Sequence, residues 1–198
     1  MNSISQIFPE DLILATSKRI GENMKSYKIL TLGFAAITAV LFCACEKSNS
    51  CTYNEEGGEL VCVEKIYKTA KVGNNIWLME NLARLSLTGS SHCYNDSAKN
   101  CQLYGSLYPF ETAQKICPEG WKLPSQSDFE ALDANALQNS KTGFRYYDGK
   151  FVDLNESGSF WTSDSYDDSR ATLVRVTDKV SYEHFNKNIS ASVRCIKK

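Results

Sequence analysis

The chain is poor in histidine, with only His92 and His184 in 198 residues, and it holds no Cys-x-x-Cys pair. Zinc sites bring four Cys or His ligands together at short, recognisable spacings. Neither histidine stands at such a spacing from a cysteine pair, which sets a zinc fold aside. Charge of one sign is missing as well. The net charge is −1 and no polybasic block occurs, so nothing points to a nucleic-acid partner. No apolar run reaches the roughly 20 residues that span a bilayer. The length leaves room for one ordinary domain and a targeting segment.

Cysteine is what the chain has in quantity, with eight residues. Without metal spacing, that number points to disulfides and an oxidising compartment.

An export segment accounts for the route there. Lys25 and Lys28 precede an apolar stretch, Ile29 to Phe42, that ends in Leu41-Phe42-Cys43-Ala44-Cys45 and then turns polar at Glu46-Lys47-Ser48-Asn49-Ser50. Charge, apolar core and small residues follow one another in the order of a signal peptide. The end of the segment resembles a bacterial lipobox, with Ala44 before Cys45 and Leu41 four residues back. That resemblance implies acylation of Cys45 and a mature chain beginning there, although Phe42 and Cys43 depart from the pattern. An ordinary signal peptide cut nearby, or a short membrane anchor, is the competing reading. Residues 24–44 are then the signal and 45–63 a tether with a short hairpin. Residues 1–23 are an extension upstream of Met24, and 64–198 form the domain. Stable anchoring takes more than one acyl chain, which multiple acylation of Cys45 supplies. The expected location is the outer membrane or cell surface.

Processing leaves Cys51, Cys62, Cys93, Cys101, Cys117 and Cys195, which allow fifteen connectivities. Spacing favours one of them. Cys51 and Cys62 flank a turn-like Asn54 to Gly58, and Cys93 and Cys101 flank the polar loop from Tyr94 to Asn100. Cys117 and Cys195 then join the middle of the domain to its end. In the loop-entropy picture the two short bridges contribute about 2.5–3 kcal/mol each and the long one about 4.5 kcal/mol.

Along the domain, Val72-Gly73-Asn74-Asn75 reads as a turn between two strands, and 84–107 reads as polar and irregular. Phe110, Ala113, Ile116 and Cys117 fall at helical spacing, closed by Pro118-Glu119-Gly120. Ser125 with Asp128, or Ser127 with Glu130, offers a capping box for a second helix over roughly 126–137, with Phe129, Leu132 and Ala136 on one face. Strand signals follow: Phe144 to Phe151 around an Asp148-Gly149 turn, then Phe160 to Ser163, Arg170 to Val176, Val180 to Phe185 and Ala191 to Ile196. Two short helices followed by antiparallel strands, closed by a long disulfide, make an α+β domain.

Several motifs, in order, resemble the Fibrobacter succinogenes major paralogous domain. They begin with Lys71 to Leu82 and continue with Cys93-Tyr94-Asn95-Asp96, Tyr104-Gly105 and Cys117-Pro118-Glu119-Gly120-Trp121-Lys122-Leu123-Pro124-Ser125. They end with Phe160-Trp161-Thr162-Ser163 and Ser192-Val193-Arg194-Cys195. Coverage is about residues 65–198. Phe129, where the family usually has tryptophan, and Pro109-Phe110 depart from it. The resemblance implies a secreted lipoprotein with a distantly C-type-lectin-like fold, in which a cysteine at a helix end pairs with one on the last strand. Cys117 and Cys195 hold those places. Trp121 to Ser125 with Phe129 also looks like a segment of formylglycine-generating-enzyme-like domains.

The family implies no activity, and the residues show no catalytic constellation: His92 and His184 lack a nearby nucleophile, and each cysteine after Cys45 has a structural partner available. The expectation is therefore not an enzyme. Asp148, Asp153, Glu156, Asp164, Asp167 and Asp168 form an acidic stretch where lectin-like folds carry long loops. A solvated loop and no cofactor is the expected reading, with calcium, which takes six to eight oxygens, as the alternative, because the Glu-Pro-Asn and Gln-Pro-Asp signatures of calcium lectins are absent. Trp77, Trp121 and Trp161 read as core, while Tyr146, Tyr147, Tyr166 and Tyr182 could line a binding face. The expected function is non-catalytic binding of an extracellular glycan or protein through 143–170, with Asp148, Asp164, Tyr166, Asp167 and Asp168 as contacts. A purely structural envelope role, or an enzyme of the formylglycine-generating type, is the alternative.

Overall fold

The computed structural model describes residues 50–86, 89–132, 137 and 141–198. The 1–23 extension, the signal segment 24–44, Cys45 and Ala136 lie outside the described residues. Residues 47–198 form one unit.

In chain order the first strands are β1 (Cys51–Asn54), β2 (Glu59–Cys62), β3 (Ile66–Val72) and β4 (Asn75–Leu78). A 3-10 turn over Tyr94–Asp96 leads into α1 (Ala98–Tyr104), then β5 (Leu107–Pro109), α2 (Phe110–Ile116), β6 (Trp121–Lys122) and α3 (Gln126–Glu130). The remaining elements are strands: β7 (Thr142–Arg145), β8 (Phe151–Leu154), β9 (Gly158–Ser165), β10 (Arg170–Val176), β11 (Val180–Asn186), β12 (Ser190–Ser192) and β13 (Ile196–Lys197). They make two sheets. The first runs β1-β2-β3-β4-β13-β6; the second runs β11-β10-β9-β12-β7-β8, with β5 paired to β12.

The first sheet grows from hairpins. Cys51 stands opposite Cys62, and Leu60 opposite both Tyr53 and Tyr67. Side chains alternate across a strand, so Tyr53, Leu60 and Tyr67 share the inner face while Thr52, Val61 and Ile66 share the outer one. Because β2 pairs with β3, the disulfide hairpin expected ahead of the domain continues the domain's own sheet. Gly73-Asn74 forms the turn into β4 as the sequence implies.

Three short helices occur among the described residues, where the sequence reading had two. The addition is α1, inside the stretch read as irregular. It buries only Cys101, so it carries no apolar periodicity to read; the Cys93–Cys101 disulfide staples it instead. The expected α2 is present, with Phe110 and Ala113 buried, Glu111 in the first turn and Lys115 in the last, charges that suit the helix dipole. α3 begins as expected, with Ser125 Oγ accepting from Asp128 N and the Asp128 carboxylate accepting from Ser125 N. It is described only to Glu130, with Ala131 at its C-cap, short of the expected 137.

Both faces of β10 are covered. Ala171 and Leu173 join the larger core with Tyr67, Tyr108, Phe110 and Trp161, while Val174 and Val176 join a second core with Trp77, Phe129 and Phe160. The expected strand 191–196 divides in two. β12 belongs to the second sheet and β13 to the first, and Val193-Arg194-Cys195 carries the chain between them. Side-chain pattern cannot signal that crossing, because all of Ser190 to Ile196 is buried. Cys195, on the crossing segment, is bonded to Cys117 at the end of α2. With Cys51–Cys62 and Cys93–Cys101 this makes the three pairs that spacing favours. The domain is thus mixed α+β, mostly strand, with few short helices and three disulfides.

Candidate functional site

Two places hold polar side chains in a defined arrangement. The first is a cavity of about 210 Å³ next to β4, lined by Lys65, Glu80, Asn81, Tyr104, Gly105 and Thr142 among others. Lys65 and Glu80 pair at 2.5 Å. Asn81 is buried and donates to Tyr104 O at 3.0 Å and to Ser192 Oγ at 3.4 Å, while its Oδ1 accepts from Arg194 Nη2 at 3.0 Å. Thr142 Oγ1 lies 2.8 Å from Ser192 Oγ. Arg194 is buried, its guanidinium 5.5 Å from the Phe160 ring centre. Burial pulls its pKa down to about 10, against the opposing pull of Glu80. Gly105 has φ +81°, and a Cβ there would meet Asn81 Cβ at 2.6 Å, so the close approach of α1's end to Asn81 requires glycine. This network ties elements together. A buried charge in it costs stability unless it is bonded, and its sequence signal, an arginine between Val193 and Cys195, reads no differently from a surface residue.

The second place is the face around the β9–β10 turn. Tyr166 is 54% exposed and stacks on His184 of β11, with ring centres 3.7 Å apart and planes at 13°. The Arg170 guanidinium lies 4.8 Å from the Tyr166 ring centre. Asp167 holds Arg170 in place, pairing with its Nη2 at 2.7 Å and accepting from Arg170 N and Ser169 N. Those bonds, the Arg170 side chain first, keep the Asp167 carboxyl well below the usual carboxylate range. Tyr147, in the β7–β8 turn, is 71% exposed.

Of the acidic residues singled out in sequence, several serve the fold. Asp164 accepts from Gln126 N at 2.6 Å, at the start of α3. Asp153 pairs with Arg175 at 3.0 Å. Asp148 accepts from Lys150 N inside its own turn, and Asp168 is exposed, its carbonyl accepting from Lys187 Nζ. No three of them place carboxylate oxygens within 4.8 Å of one another; among the described residues that distance gathers Cys51, Cys62 and Glu64, two of which are bonded to each other. The structure therefore brings Tyr166 and Asp167 into one arrangement with Arg170 and His184 and does not gather the acids into an oxygen cage. Sequence reading missed Arg170 and His184 as members. Pairing of β10 with β11 sets Thr172 opposite His184, a register that is not visible before the sheet is known.

Burial, then the charge of Arg145, lowers the pKa of His92, whose backbone bridges to Leu107. His184 Nδ1 lies 3.4 Å from the hydroxyl of Thr172, a buried residue. All six described cysteines are in disulfides. Trp77, Trp121 and Trp161 are core, as read from the sequence.

Comparison with curated proteins and with solved structures gave no match. The family comparison did. Residues 70–144, from within β3 to within β7, match the model of the Fibrobacter succinogenes major domain, and the chain carries a domain of that family there.

Proposed function

We propose that the protein is an exported lipoprotein, anchored at the outer membrane or cell surface by lipid on Cys45, that displays a non-catalytic binding domain of C-type-lectin-like architecture. Three disulfides support an oxidising compartment. The Cys117–Cys195 bond from a helix end to the segment before the last strand supports the lectin-like reading.

The observation that carries the binding role is the exposed Arg170–Tyr166–His184 stack. Tyrosine and arginine are the residues interfaces use most as anchors. Here they are held in place before any ligand arrives, which lowers the ordering cost of association. The ligand class is an extracellular glycan or protein.

The test applies the intact protein to glycan arrays and to surface-protein pull-downs, alongside Tyr166→Ala and Arg170→Ala. Capture by the wild type, weakened at least tenfold in both variants, is the expected result. Equal capture by the variants places binding elsewhere. No capture at all, with unchanged surface architecture in a deletion strain, overturns the binding role.

A further inference from the structure

The outer face of the first sheet is apolar where it adjoins the chain that leads to Cys45. Val61 is 40% exposed, Val63 72% and Ile66 52%. Val61 and Ile66 are direct cross-strand partners on that face, and Val63 lies in the connection between their strands. A fourth exposed apolar residue, Leu85, follows Arg84, whose side chain pairs with Glu64 in the same connection. Isolated exposed apolar residues are ordinary; a contiguous set marks a contact surface.

The charges around this patch are matched. Lys68 pairs with Glu59, Lys65 with Glu80 and Arg84 with Glu64. Glu55 and Glu56 stand apart from these pairs, in the β1–β2 turn, so no cation beside the patch lacks an acidic partner in these three pairs and its attraction to a bilayer is apolar.

Chain length names the partner. Val61 and Val63 flank Cys62, which is bonded to Cys51 with the two Cα atoms 4.1 Å apart. Cys51 follows Cys45 by six residues, a span of at most about 20–22 Å when extended. Any bilayer holding Cys45 is thus within reach of the patch, and it is the apolar surface present at the highest local concentration.

We propose that Val61, Val63 and Ile66 are a membrane-contact patch, inserted at the headgroup–acyl boundary of the bilayer that holds the Cys45 lipid. The proposal rests on the reading of Cys45 as acylated. Shallow insertion of a few apolar side chains adds a second attachment to the acyl chains. It fixes the orientation of the domain relative to the membrane instead of leaving it on a free tether.

The test uses the full acylated chain in phosphatidylethanolamine–phosphatidylglycerol vesicles whose acyl chains carry bromine, which quenches nearby indoles. Val63→Trp reports on the patch, and Tyr147→Trp, at an equally exposed site in the turn between β7 and β8, is the comparison. Both positions are exposed, so neither change disturbs packing. The native tryptophans are buried and are subtracted with the wild type. The expected result is at least twofold stronger quenching at position 63 than at 147, lost when Val61→Lys and Ile66→Lys are added. Equal quenching at 63 and 147, with acyl mass present on the Cys45 peptide, overturns the patch and leaves the anchor standing. Absence of acyl mass on that peptide removes both. A blue shift of the position-63 indole that rises with protein concentration without vesicles assigns the patch to a second copy of the chain instead.

Discussion

Arg194 Nη2 donates to Asn81 Oδ1 at 3.0 Å, joining residues 113 apart in the chain. Arg194 lies on the segment that crosses from the second sheet to the first, and Asn81 follows β4 of the first. The same Asn81 bonds to Tyr104 O and Ser192 Oγ. One amide therefore serves both sheets and the end of α1. Removing it takes away one partner of a buried charge, which costs more than an ordinary hydrogen bond. Asn81→Ala is expected to destabilise the domain by about 2–3 kcal/mol in urea unfolding with the disulfides intact. A loss under about 0.5 kcal/mol would show that the guanidinium does not depend on this amide.

The long disulfide should matter more than the short one on α1. Cys117–Cys195 closes 78 residues and Cys93–Cys101 closes 8. Loop entropy then assigns about 4.5 and 2.5 kcal/mol to them. Cys117→Ala/Cys195→Ala should lower the unfolding midpoint in urea further than Cys93→Ala/Cys101→Ala. The reverse order would mean that residual structure in the unfolded chain, rather than loop length, sets their contributions.

Gly143 should not tolerate a side chain. Its φ is +61°, and an added Cβ would run into the Val152 carbonyl and crowd Asp153 and Leu154 at 2.9 Å. All three contacts are backbone of β8, which cannot rotate away. Gly143→Ala is expected to cost at least about 3 kcal/mol. Gly73→Ala, with φ +58° and nothing within 4 Å, should cost about 1 kcal/mol. Thermal unfolding of the two variants side by side separates clash from strain.

Asp128 gives the α3 cap an acid limit. Burial raises its pKa, but the Ser125 bonds, Lys122 and Asn75 outweigh that and leave it below the ordinary 3.8. A depressed carboxylate contributes stability that is complete above its unfolded pKa and is lost as pH falls through the folded one. Asp128→Ala should therefore cost about 1 kcal/mol near neutral pH, and the gap to wild type should narrow as pH drops below about 3.8. Parallel stability curves across that range would refute the assignment.

Local signals in the sequence located most elements because they act over a few residues. Gly73-Asn74 turned where it should, Ser125 and Asp128 capped α3, and Phe110 with Ala113 faced α2 inward. α1 stayed hidden because a helix stapled by the Cys93–Cys101 disulfide needs no apolar stripe to hold it. Tyr166 was legible as exposed. Its partners were not, because His184 meets it only once β11 is paired in register with β10. The acids from Asp148 to Asp168 illustrate the limit from the other side. Their composition reads as a solvated loop, yet Asp164 and Asp167 are committed to backbone amides that only the folded chain presents.

The sequence alone determined the turn into β4, the starts of α2 and α3, the family signature across 70–144 and the set of disulfides that spacing favours, since each depends on neighbours along the chain or on a small number of pairings. Tertiary structure decided the division of Ser190 to Lys197 between two sheets, the burial of Arg194 and the stack on Tyr166. Those follow from register and packing among residues far apart in the chain, where the free energy of a contact depends on what surrounds both partners at once.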